Sequence, residues 1–62
     1  MCLSKVYLQT NTGLELVMED TANIQVDGNT VILNNLFGAS AKIEAHVQQI
    51  DLMSHKVILS KA

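Results

Sequence analysis

Clusters of turn-forming residues cut this chain into pieces too short for anything but strands. Asn11-Thr12-Gly13, Glu19-Asp20-Thr21, Asp27-Gly28-Asn29, Asn34-Asn35 with Gly38-Ala39-Ser40, and Ser54-His55 fall at short intervals along the chain. Asn and Gly accept the positive φ that tight hairpins need, and a break roughly every 8 to 12 residues is the pattern of a small sandwich or barrel. Fifteen residues are Val, Ile or Thr, whose branching at Cβ suits a pleated strand better than a helix.

The pieces between the turns alternate with period two, which assigns each a face. In the opening strand, Met1 to Leu8, Cys2, Ser4, Val6 and Leu8 point one way, with Leu3, Lys5, Tyr7 and Gln9 opposite. Leu14, Leu16 and Met18 form the apolar face of the second piece. Ala22, Ile24 and Val26 form that of a third, beyond a break at Glu19-Asp20-Thr21. Val31 and Leu33 share a face in Thr30–Asn34. Ala41 to Leu52 is readable two ways. Ile43, Val47 and Ile50 fit a helix, but Ala41, Ile43, Ala45 and Val47 alternate as a strand, and the neighbouring strands favour that reading. Val57-Ile58-Leu59 closes the chain. The expectation is an all-β fold, a small SH3-like barrel of about five to seven antiparallel strands.

Sixty-two residues form one domain, 1–62. A chain this short buries only about 60% of its unfolded surface, and small domains lean on a disulfide, a metal or a second subunit. One cysteine cannot make an intrachain disulfide, and 48% of the residues are apolar, so a homodimer is expected. The formal charge is -2, and the four basic residues are lysines spread over positions 5, 42, 56 and 61. Nucleic acid demands a concentrated basic face, so it is not an expected partner. Nothing approaches the roughly 20 apolar residues of a membrane span. An unpaired cysteine without an export signal leads to the expectation of a cytoplasmic protein.

Catalysis is hard to assemble from these residues. No glycine-rich loop opens a helix, and the carboxylates are dispersed except for adjacent Glu19 and Asp20. An enzyme is not expected. Cys2 stands apart because of its place in the chain. With Met1 removed, Cys2 offers an amine and a thiolate that close a five-membered chelate ring. With Met1 retained, the terminal amine, the deprotonated Cys2 amide and the thiolate can chelate together. Such N and S donors favour a square-planar ion, Ni(II) or Cu(II), over tetrahedral zinc. Thiolate reduces Cu(II), which leaves nickel. Each chain then provides two or three donors, and a two-fold dimer would complete four. On composition alone a lone cysteine is more often incidental or a small buried apolar residue than a metal ligand. His46 falls on a polar strand face and His55 at a hairpin tip; His55 becomes a ligand only if the fold, or a neighbouring subunit, carries that tip to the N-terminus.

The opening Met1-Cys2-Leu3-Ser4-Lys5-Val6, the Asp27-Gly28 hairpin, Leu36-Phe37-Gly38 and the closing run Ile50 to Leu59 resemble the CooT proteins. These are small nickel-binding proteins associated with maturation of carbon monoxide dehydrogenase. The resemblance implies an SH3-like homodimer that binds Ni(II) through Cys2 and delivers or stores nickel. Its partners would be a nickel enzyme or the maturation ATPase of that enzyme. The same family also carries an RNA-binding label, against which stand the acidic balance and the presence of only Tyr7 and Phe37 as stacking aromatics. The other alternative is a metal-free module that adds a strand or a barrel face to a partner.

Overall fold

The computed structural model describes residues 3–62, and Met1 and Cys2, on which the site expectations fall, lie outside them. Five strands follow one another: β1 (Ser4–Thr10), β2 (Gly13–Asp27), β3 (Thr30–Asn35), β4 (Ser40–Asp51) and β5 (Lys56–Lys61). Each pairs with the next, and β5 returns to β1, so the sheet is a closed barrel. The all-β barrel is thus as expected, and Ala41 to Leu52 is strand through Asp51. No helix of the described residues is long and apolar enough to cross a membrane.

One seam differs from the expectation. The pairs β1–β2, β2–β3, β3–β4 and β4–β5 are antiparallel, whereas β1–β5 is parallel, with Lys5 beside Lys56 and Leu8 beside Leu59. An up-and-down ring with an odd number of strands must close this way, because its first and last strands run in the same direction. Closure pairs the strands all round, leaving few backbone groups open to a foreign strand.

The core is a set of side chains lost to solvent: Val6, Val31, Leu33, Ala45, Val57 and Leu59. Leu8, Val17, Met18, Ile24, Ala41 and Ile43 pack against it. Val31 with Leu33 and Val57 with Leu59 are each two apart on their strands, so a single face of each strand supplies the pair. Ile58 between the latter two is also buried, at 7% exposure, on the opposite face and next to Tyr7 across the parallel seam.

Strand length explains where the simple alternation fails. At about 3.3 Å per residue a straight fifteen-residue strand would run about 50 Å, against a longest molecular dimension of 30 Å. So β2 has to bend. Asp20 takes a φ of 52°, and the register shifts between Tyr7/Leu16 and Val6/Met18, between Val6/Met18 and Ser4/Thr21, and again between Thr21 and Asn23. Each shift inserts an extra residue and turns the following side chains over. Leu14 and Leu16 therefore face outward, 45% and 47% exposed, while Val17 and Met18 both pack inward. The expected break at Glu19-Asp20-Thr21 is this bend, and the two pieces on either side are one strand. Beyond it Ile24 packs on the core as expected, but Ala22 is exposed and Val26 is 57% exposed at the strand's far end. A further shift between Val47 and Gln49 bends β4 in the same way.

Candidate metal site at the start of strand one

Strand β1 begins between two neighbours that the sequence keeps far apart. On one side Ser4 pairs with Thr21 of β2. On the other Lys5 pairs with Lys56 of β5, and the Lys5 N–H donates to the His55 carbonyl at 3.0 Å. The turn carrying His55 is thereby bonded to the start of β1. Leu3, Lys5, Tyr7, Ser54, His55 and Lys56 line one open hollow of about 440 Å³ there.

The β4–β5 turn owes its shape to Asp51. Its Oδ1 accepts the N–H of Met53 at 3.0 Å and of Ser54 at 3.1 Å. Hydrogen bonds from the Ser54 side chain and backbone hold the Asp51 carboxyl below its usual range, aided by the Met53 N–H and the nearby Lys56 charge and opposed by slight desolvation. The chain then leaves the turn through His55 at a φ of 53°. A left-handed backbone there is uncommon for a residue with a Cβ, though His adopts it more readily than most.

Among the described residues Thr21 is the buried polar one, 5% exposed, and its Oγ1 has no hydrogen-bond partner among them. A buried hydroxyl left unpaired costs about 1–3 kcal/mol. It lies opposite Ser4, at the same end of β1 as His55. Lys5 and Lys56 also meet there, two of the four lysines that the sequence shows as scattered. Counter-charge is at hand: Glu19 Oε1 is 4.0 Å from Lys5 Nζ, with both side chains more than half exposed, an ion pair of little energetic weight.

The sequence singled out Cys2, Met1, His46 and His55. His55 is brought to the start of β1, through its carbonyl bond to Lys5. His46 is not: it pairs with Ser60, four residues along β5 from Lys56, or about 13 Å. No group of three or more His, Cys, Asp or Glu residues gathers among the described residues. An ion would therefore have to draw on the chain's first residues, and the N and S donor set of Met1 and Cys2 fits a planar soft-to-borderline ion. Sequence reasoning missed Thr21, which it treated as part of a polar turn. Nothing in the order of residues marks it as buried, because its burial follows from the bend at Asp20.

A family model described as CO dehydrogenase accessory protein CooT matches residues 1–60. Among solved structures, the chain is similar to one described as a candidate CooT from Carboxydothermus hydrogenoformans, with a TM-score of 0.89, 21% identity and 98% of each chain covered. At that identity the likeness is one of fold. No curated protein matches the chain.

Proposed function

This chain belongs to the CooT family of CO dehydrogenase accessory proteins, and from that premise we propose that it binds Ni(II) as cargo for a nickel enzyme. It is an accessory protein and not an enzyme. The thiolate of Cys2 is the principal donor, joined by the amine of Met1, or by that of Cys2 itself once Met1 is removed. The observation that carries this reading is the pairing of a thiol at position two with a barrel end where a histidine turn is bonded to β1. Nickel as an ion favours that N and S set in planar geometry.

In this reading the barrel presents the donors and does little else. Thiol and amine must lose protons to coordinate, so affinity rises with pH. Planar coordination leaves the ion open above and below its plane, so an acceptor can take it by exchanging one ligand at a time. The recipient is carbon monoxide dehydrogenase or the ATPase that matures it, in a cytoplasmic setting. The barrel associates with a second copy through outer apolar residues such as Leu14 and Leu16, which a chain this small otherwise leaves in water. Charge weighs against RNA as the ligand, since the lysines that meet at positions 5 and 56 stand beside Glu19 and Asp51.

The test is a Ni(II) titration of the protein and of its Cys2→Ser variant, followed by thiolate-to-nickel charge-transfer absorption. The band should develop in the wild type alone. Equal affinity in the two proteins would end the proposal.

A further inference from the structure

We propose that the hollow where β1 meets β5 is a binding site for a small oxyanion, a carboxylate or phosphate group held between the Lys5 and Lys56 ammonium groups. The proposal is independent of the nickel reading and uses residues of the barrel wall alone. Lys5 and Lys56 are register partners on the parallel seam, so their backbones are about 4.8 Å apart and both side chains leave the same outer face. Both line the hollow. Like charges side by side on neighbouring strands repel each other. An anion between them replaces that repulsion with two attractions.

The rest of the lining suits the same ligand. Tyr7 stands two residues beyond Lys5 on the same face, about 7 Å along the strand, and brings a phenolic O–H. Ser54 brings a hydroxyl and His55 a ring N–H, on a turn fixed to the strand start by the bond from Lys5 N–H to the His55 carbonyl. Every described lining residue except apolar Leu3 thus carries a side-chain proton donor, and none is a carboxylate. Such a set receives an acceptor and repels a cation. The face is also recessed, since Ile58, next to Tyr7 on the same side of the sheet, is 7% exposed. At about 440 Å³ the hollow is larger than a bare ion needs and falls in the size range of small-molecule pockets, roughly 300–1,000 Å³.

Two carboxylates stand near without filling the hollow. Glu19 Oε1 is 4.0 Å from Lys5 Nζ, but both side chains are more than half exposed, so the pair is weak and exchangeable. The Asp51 carboxylate is engaged first by Ser54 and least by Lys56. These acids offset the lysine charge at long range, and Lys42 and Lys61 pair elsewhere in the barrel, beside Ile32 and Ala45. No basic track therefore leads on from the hollow among the described residues. The site takes one compact anion and not a polyanion.

The experiment is a titration of the metal-free full chain with inorganic phosphate and, separately, with citrate, at constant ionic strength, followed by amide chemical shifts. Each anion should give saturable shifts at Lys5, Tyr7, Ser54, His55 and Lys56, with one site per chain. Tighter binding of phosphate assigns the site to phosphate groups, and tighter binding of citrate assigns it to carboxylates. Lys5→Gln and Lys56→Gln keep most of each side-chain stem and should each weaken binding about ten-fold, with Lys42→Gln and Lys61→Gln unchanged. Tyr7→Phe should weaken it by a factor of about 3. Shifts that never saturate, that fall on all four lysines alike, or that persist in the Lys5→Gln, Lys56→Gln double variant would overturn the inference. None of these outcomes bears on the Cys2→Ser comparison, so the nickel reading stands or falls separately.

Discussion

The two connections flanking β4 are built alike and end differently. In the β3–β4 turn the Asn35 Oδ1 accepts the N–H groups of Phe37 at 3.0 Å and Ala39 at 2.9 Å. In the β4–β5 turn Asp51 Oδ1 does the same for Met53 and Ser54. Both hold apolar side chains out in water, Leu36 and Phe37 at 60% and 77%, Leu52 and Met53 at 80% and 93%. The first turn then takes its positive φ at Gly38, where no Cβ resists it, and the second takes it at His55. A left-handed conformation costs an ordinary residue roughly 1–2 kcal/mol relative to glycine. Glycine would satisfy the geometry of either turn, so nothing in the backbone of the second turn calls for a histidine.

The largest effect that could break this comparison lies beneath the turns. Leu33 leads into the first and Leu59 leads out of the barrel beyond the second, and both are fully buried. Each Leu→Ala change should cost about 2–5 kcal/mol, measured by denaturant unfolding. By contrast Phe37→Ala and Met53→Ala should stay within about 0.5 kcal/mol. A core-sized loss at either tip would mean that the tip is covered in solution by another surface.

Next in size is the exchange of left-handed residues. Gly38→Ala should lose about 1 kcal/mol, because the added Cβ meets no atom within 4 Å and the penalty is conformational alone. His55→Gly should gain up to about 1 kcal/mol by the reverse argument, measured by denaturant unfolding. A His55→Gly protein less stable than the wild type would show that the His55 side chain contributes to the fold of the second turn.

The smallest effect is one of pH. The folded carboxyl of Asp51 is held below its unfolded value, so its contribution is fully present above the unfolded pKa, about 3.9, and is lost as pH falls through the lower folded value. The Met53 and Ser54 amides should lose hydrogen-exchange protection over that acid range. Those of Phe37 and Ala39, held by a neutral amide oxygen, should not. Equal loss in both turns would mean that Asp51 has no special part in the acid response.

The residues by themselves settled that this chain is built of strands, that Asp27-Gly28-Asn29 is a hairpin, and that Val31 and Leu33 are core. Those features are local: a period of two, and a turn residue with the right φ. What lay beyond reach was whatever depends on closing the ring. Leu14 and Leu16 turned outward because β2 is too long to run straight, and its bulges reverse the faces. Thr21 became buried through the same bend. Lys5, Lys56 and His55 met because an odd-stranded ring closes on a parallel seam, which joins residues fifty apart. Alternation carries no memory over such distances, so only the tertiary structure could place His55 and Thr21 on either side of the strand that starts at Ser4.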